Sequence, residues 1–98
     1  MSSEKKKFTV LVDERVEKDL KTVPKHITLR FLDLLDELEE DPFQNRSGLD
    51  VKLLKGHDDL YRIRLGDYRV LFSLDKPNRT VIVTTVVHRR RAYRSLII

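Results

Sequence analysis

The sequence predicts an α+β fold in which a helical hairpin packs on one face of a twisted, largely antiparallel sheet, in the order β-α-α-β-β-β. Three patterns predict it: apolar residues at helical spacing, a hairpin signal at Leu60–Phe72, and a β-prone run at Thr80–Val87. The 98 residues suffice for one domain. We expect this domain to span residues 8–94, between a disordered tail at 1–7 and a short C-terminal tail at 95–98.

The first strand and the first helix are predicted from Phe8 onward. Phe8–Val12 consists of residues with high β-propensity, and it ends at Asp13, a good helix N-cap. The apolar residues that follow lie at helical spacing, so a short amphipathic helix is expected: Val16, Leu20 and Val23.

A second helix is predicted between Pro24, which can open it, and Asp41-Pro42, which ends it. Its apolar stripe comprises Ile27, Phe31, Leu34, Leu35 and Leu38. Leu29 and Leu32 lie off this stripe. They either fill a groove against the first helix or form a docking surface for a partner.

The strands of the second half begin after a loop at residues 42–48. Residues 51–55 are predicted to form a short strand, and Leu60–Phe72 a hairpin that turns at Gly66-Asp67. After a turn at residues 75–78, Thr80–Val87 is apolar on both faces and is therefore expected to be an interior strand.

The hairpin register predicts that Arg64 faces Arg69, with apolar and aromatic residues on one face of the sheet and arginines on the other. That cationic face is expected to be free, and it holds Arg62, Arg64 and Arg69. Like charges opposite each other destabilise a sheet, and neither strand supplies an acidic neighbour. A polyanionic ligand would explain this pair.

The charge is unevenly distributed along the chain. Residues 1–50 hold 9 Lys/Arg against 12 Asp/Glu, whereas residues 51–98 hold 11 against 4. The basic half suits a nucleic acid or an acidic peptide, although a solvated basic surface gives the same count. There is no cysteine and no apolar run of membrane-spanning length, so we expect a soluble cytoplasmic protein that does not bind membranes.

Several kinds of chemistry are disfavoured by the motifs. The three histidines are scattered, and no phosphate-binding glycine loop or nucleophile elbow is present, so we expect neither a metal nor a cofactor. Clustered arginines suit a phosphodiester, and RNA can be cleaved by its own 2′-hydroxyl. His88 and Tyr93 are the candidates for proton transfer, although a lone histidine at a strand end is more often a bystander.

The segments Lys52–Gly56, Leu60–Arg64, Gly66–Phe72 and His88-Arg89 with Tyr93 resemble the RelE/ParE superfamily of bacterial and archaeal toxins, specifically the RelE-like branch. The resemblance implies a microbial-ribonuclease-like fold, a cognate antitoxin as partner, and ribosome-dependent cleavage of mRNA in the A site. The ParE branch implies DNA gyrase inhibition instead. A degenerate homologue would bind RNA or antitoxin without cleavage.

The resemblance also implies roles for individual residues. The expected catalytic set is Arg62, Arg64, Arg69, His88, Arg89 and Tyr93, and further RNA contacts are expected from Lys52, Lys55, Arg90 and Arg91. Arg62 and Arg64 match basic positions used in catalysis and against the message backbone, and Arg69 matches the arginine at the scissile phosphate. Arginine stands where lysine can serve as the proton-transfer group, which shifts that role to His88 or Tyr93.

Overall fold

The computed structural model describes residues 8–42, 50–54, 56 and 58–91. Within these residues the elements are β1 (Thr9–Val12), α1 (Glu14–Leu20), α2 (Lys25–Glu40), β2 (Val51–Leu53), β3 (Leu60–Leu65), β4 (Tyr68–Asp75) and β5 (Thr80–His88). The predicted tails at 1–7 and 95–98 and nearly all of the predicted loop at 42–48 lie outside the described residues.

The predicted α+β architecture is confirmed, with helices on one face of a mostly antiparallel sheet. The sheet has the order β1-β5-β4-β3-β2. The strand predicted at residues 51–55 is present as the short edge strand β2. Four strands therefore follow the helices, one more than the expected order β-α-α-β-β-β contains. β1 pairs with β5 in parallel and every other neighbouring pair is antiparallel, so β5 is an interior strand as predicted.

The side chains of Asp13 and Pro24 explain where the two helices begin. The Asp13 carboxylate accepts a hydrogen bond from the backbone N–H of Arg15 at 2.8 Å and caps α1. This bond, and then the Arg15 side chain, hold the pKa of Asp13 below its ordinary value. Pro24 directly precedes α2, where its missing N–H leaves no donor unpaired.

The core lies between α2 and the sheet. The buried residues of α2 meet apolar residues of β3, β4 and β5, and this cluster includes Ile27, Phe31, Leu34, Leu38, Ile63, Val70, Phe72, Val81 and Val83. Leu29 and Leu32 remain 54% and 51% exposed, so they do not fill a groove against α1. Within the described part of the chain, no helix combines the length and the apolarity needed to cross a bilayer.

A β-bulge changes which side chains of β5 reach the core. Leu71 pairs with Thr85, whereas the next residue, Phe72, pairs with Val83, so Thr84 is the extra residue of β5 in this register. The alternation of side chains therefore shifts by one residue at this point. As a result Val83 and Val86 are both buried, although three positions separate them.

Candidate functional site

The β3–β4 hairpin has the predicted register. Leu65 pairs with Tyr68 beside the turn, and Arg64 pairs with Arg69 in the next position. The turn at Gly66-Asp67 needs a positive backbone φ, and Gly66 has φ 63°. A side chain at Gly66 would also place a Cβ 3.3 Å from Cδ1 of Ile27 on α2. The turn therefore fixes both the register and the approach of α2.

Arg62 and Arg64 converge on a single carboxylate oxygen. The Nη1 atoms of both side chains lie 3.5 Å from Oδ2 of Asp50. Arg62 Nη1 also lies 3.4 Å from the backbone oxygen of Asp50. Only 13% of the Arg62 side chain is exposed, against 53% for Arg64. The two guanidinium groups thus approach one anionic position from adjacent sites on β3.

The face that carries the arginines was expected to be free. This expectation is wrong for Arg69, which is buried. Arg69 is only 4% exposed, and Leu71 beside it on the same face is 3% exposed. Nη1 of Arg69 donates to the backbone oxygens of Gly66 at 3.3 Å and Tyr68 at 3.1 Å. Its side chain therefore folds back over the hairpin turn, because those carbonyl oxygens satisfy a buried cation.

Arg89 is attached to the same turn. Its backbone N–H donates to the backbone oxygen of Asp67 at 2.8 Å, and its Nη1 lies 3.8 Å from Oδ1 of Asp67. Residues 89–91 adopt a helical conformation directly after β5. This connection brings Arg89 beside the end of the hairpin that carries the Arg64–Arg69 pair.

Three of the remaining predicted basic residues lie within the described part of the chain. Lys52 pairs with Arg62 across β2 and β3 and is exposed. Arg90 and Arg91 are exposed after the end of β5. Lys55 and Tyr93 lie outside the described residues, so their predicted roles stay predictions.

His88 lies on the opposite face of the sheet from the arginines of β3 and β4. It pairs with Tyr68, whose ring it meets edge to face at a centroid distance of 5.2 Å. Tyr68 packs against the core, so alternation places both rings on the core side. Nδ1 of His88 accepts a hydrogen bond from the backbone N–H of Arg90 at 3.2 Å. A cleft of about 440 Å³ beside the ring is also lined by Asp19 and Arg91.

Sequence reasoning missed Asp50 because this residue lies in neither strand of the hairpin but directly before β2. Val51 pairs with Ile63, so continuing this register by one residue places Asp50 opposite Arg64. An acidic residue directly before a short strand was the available signal. Asp50 offsets part of the repulsion between Arg64 and Arg69, which a polyanionic ligand alone was expected to explain.

The arrangement can bind an anion chemically similar to the carboxylate it already holds. Guanidinium N–H groups donate to carboxylate and phosphate oxygens in similar geometry. The exposed Arg64, with Arg62 beside it and Lys52 across the strand pair, offers donors from one face of the sheet. No group of three or more potential metal ligands occurs within the residues that the structure describes.

Comparisons with known proteins agree on one family. The profile described as "ParE toxin of type II toxin-antitoxin system, parDE" matches residues 10–93. The toxin RelE3 of Methanocaldococcus jannaschii is 37% identical over 84 residues, which cover 86% of this chain and 93% of that protein. RelE1 of the same organism is 35% identical over 89 residues, covering 91% and 98%.

A solved structure is similar over the same region. The archaeal RelE–RelB complex from Pyrococcus horikoshii OT3 contains a chain 38% identical to this one, with a TM-score of 0.75. The match covers 88% of this chain and 99% of that chain. The similarity therefore extends over almost the whole of that solved domain.

Proposed function

Because the chain belongs to the RelE/ParE superfamily, as a RelE-like toxin of a type II toxin–antitoxin system, we propose that it is a ribosome-dependent endoribonuclease. It cleaves mRNA in the A site and arrests translation in the cytoplasm. The observation that carries this proposal is the convergence of Arg62 and Arg64, both 3.5 Å from one carboxylate oxygen. A phosphate oxygen of RNA takes that position in the complex.

The reaction needs no metal, because the nucleophile belongs to the RNA. The 2′-oxygen forms a bond to the adjacent phosphorus, and the bond from phosphorus to the 5′-oxygen of the next nucleotide breaks. The products are a 2′,3′-cyclic phosphate and a 5′-hydroxyl end. Arg62, Arg64 and Arg89 stabilise the negative charge that develops on the phosphorus oxygens. Arg69 contributes its charge from a buried position and supports the turn.

Two protons must move during this step, one from the 2′-hydroxyl and one to the departing 5′-oxygen. We assign one of these transfers to Tyr93. His88 is the weaker candidate for the other, because it lies on the core side of the sheet, opposite Arg62 and Arg64. Since Nδ1 of His88 accepts from Arg90, Nε2 is the nitrogen left for exchange with the RNA. His88 is on the core side of the sheet, so the RNA must pass around the end of β5 to reach it.

Internal carboxylates near the arginines do not oppose this function. Arg62 and Arg64 share one carboxylate, and the Arg89–Asp67 distance is 3.8 Å. Pairs this long, with at least one partly exposed partner, contribute about 0–1 kcal/mol. A polyanionic strand that offers several phosphates can therefore replace them.

We also propose a RelB-type antitoxin as the protein partner. The similar chain from Pyrococcus horikoshii was solved as a complex with RelB. Leu29 and Leu32 on α2 are more than half exposed and give such a partner an apolar contact. Acidic residues of the antitoxin would cover the cationic face.

A gyrase inhibitor is the second candidate function, since the matching family profile is described as the ParE toxin. A basic surface attracts any negatively charged macromolecule, so its charge does not by itself distinguish RNA from a protein target such as gyrase. RNA cleavage is preferred here because the curated relatives at 35% and 37% identity are RelE proteins.

Primer-extension mapping of translated mRNA after expression tests the proposed function. Wild type is expected to cut at the A site, and Arg64→Ala is expected to lose at least about tenfold of the cutting, the scale of one lost transition-state contact. Arg15→Ala is the matched control, since Arg15 is an exposed arginine of α1, a helix that packs beside β5 and not against β3. Its cutting should equal that of wild type.

The other outcomes separate the alternatives. Absence of cuts together with gyrase-dependent DNA breaks would replace the proposal with gyrase inhibition. Intact mRNA and intact DNA, with antitoxin still bound, would leave a binding protein without catalysis. Equal loss in Arg64→Ala and Arg15→Ala would remove the cationic face from the mechanism.

A further inference from the structure

Asp50 is placed where a ligand of the arginines would lie. It directly precedes β2, and the β2–β3 register sets it opposite Arg64. Its Oδ2 atom lies 3.5 Å from Nη1 of both Arg62 and Arg64. One carboxylate oxygen thus accepts a hydrogen bond from Arg62 and forms an ion pair with Arg64, at alternate positions of a single strand.

Another anion can replace Asp50 in its contact with Arg62 and Arg64. The Asp50 side chain is 42% exposed and that of Arg64 is 53% exposed, so water reaches the ion pair. The distances are near the long limit for a charged hydrogen bond, which makes the pair weak. Replacement of the carboxylate by another anion therefore requires no change of the core.

The charge of Asp50 also matters for the ligand. Two guanidinium groups with one carboxylate present about one positive charge to an approaching strand, instead of two. Because phosphate contacts dominate nucleic-acid affinity, an internal anion at this position weakens the binding of RNA.

We propose that Asp50 is an internal substitute for an RNA phosphate, which occupies the position between Arg62 and Arg64 in the free protein and must be displaced when RNA binds. The inference rests on the proposed function and adds to it a residue that limits affinity for RNA. Binding off the ribosome is thereby weakened, while a strand already held in place by the ribosome displaces the carboxylate.

Fluorescence anisotropy with a labelled 2′-O-methyl RNA dodecamer tests this directly. The probe has no free 2′-hydroxyl, so binding is measured without cleavage. Asp50→Asn is compared with Asp36→Asn, which changes the net charge equally but is exposed on α2, the helix that covers the opposite face of the sheet. Asp50→Ser is a second neutral variant, and thermal unfolding checks that each variant is folded.

Asp50→Asn is expected to tighten binding about threefold to fivefold over wild type, the range of one exposed ion pair. The slope of log affinity against log salt should steepen by up to about 0.7, as for one further phosphate contact on a single strand. Asp36→Asn should change the affinity less than about 1.5-fold, because its charge is remote and screened. In an Arg64→Ala background, the gain from Asp50→Asn should shrink, because the two residues are coupled.

Equal affinities of Asp50→Asn and Asp36→Asn would overturn the inference while leaving RNA binding intact. Weaker binding of Asp50→Asn and Asp50→Ser would also overturn it, and would assign Asp50 to holding the arginines in place. Failure of Asp50→Asn and Asp50→Ser to bind the probe any better than a non-binding wild type would overturn the inference, because removal of the carboxylate would then add no affinity for free RNA. The proposed function is rejected separately, by absence of A-site cuts in the primer-extension assay.

Discussion

Arg64 and Arg69 are a cross-strand pair of the same residue type in different surroundings. Arg64 is half exposed and lies near a carboxylate, whereas Arg69 is 4% exposed and donates to two backbone oxygens of the turn. A charge that is buried needs its hydrogen bonds, while an exposed one is solvated by water. The two arginines therefore contribute differently to stability.

Arg69→Ala is expected to lower the free energy of unfolding by about 1–3 kcal/mol, because burial of the site and hydrogen bonds to the turn are both lost. Arg64→Ala is the matched control, with an expected change within about 0.5 kcal/mol. Urea titration followed by circular dichroism measures both. Equal stability of the two variants would show that the buried hydrogen bonds of Arg69 add nothing.

At the level of elements, α1 lies along the edge of β5 beyond the point where β1 ends. β1 pairs with β5 only from Thr9 to Val12, and α1 follows along the same edge. Asp13 donates its backbone N–H to the backbone oxygen of Val83 at 2.9 Å. Further along, Oδ2 of Asp19 accepts from the backbone N–H of Val86 at 2.9 Å. A side chain of the helix thus satisfies a strand donor beyond the end of β1.

Asp19→Ala is expected to destabilise the protein by about 1–2 kcal/mol, because the N–H of the buried Val86 loses its acceptor. Asp19→Asn keeps an acceptor oxygen and should lose less. Urea unfolding gives the stabilities, and amide exchange at Val86 reports the bond itself. If exchange at Val86 is equally slow in Asp19→Ala, the hydrogen bond does not protect this edge.

Across the whole molecule, the sheet separates two kinds of surface. α2 covers one face and presents acidic residues outward, including Asp33, Asp36 and Glu40. The other face carries Lys52 and the arginines of β3. The charge asymmetry of the sequence therefore becomes an asymmetry of faces, and the basic face is the one proposed to bind RNA.

The position of each strand in the sheet also predicts how protection against amide exchange is distributed. β4 and β5 are paired on both sides, whereas β2 has three residues and a single neighbour. Hydrogen-bonded amides of β4 and β5 should exchange at least about tenfold more slowly than those of β2, because edge strands open locally. Native-state hydrogen exchange by NMR measures this. Comparable rates would indicate that the sheet opens as one unit.

Local patterns in the sequence predicted much of the fold. The glycine turn and the alternation of residues were sufficient for the register of the hairpin, because a two-residue turn leaves one pairing. The capping aspartate and the helical stripe were sufficient for the start of α1 and the buried face of α2. The same alternation placed Arg62, Arg64 and Arg69 on one face.

Only the tertiary structure decided how far each of these arginines is exposed and what it contacts. The bulge at Leu71 and Phe72, the folding of Arg69 over the turn and the approach of Asp50 all depend on contacts between segments distant in sequence. Periodicity assigns a residue to a face, because side-chain direction is a local property of the backbone. Burial and ion pairing are set by neighbouring strands, so the sequence alone determined the cationic face but not Asp50 as the anion within it.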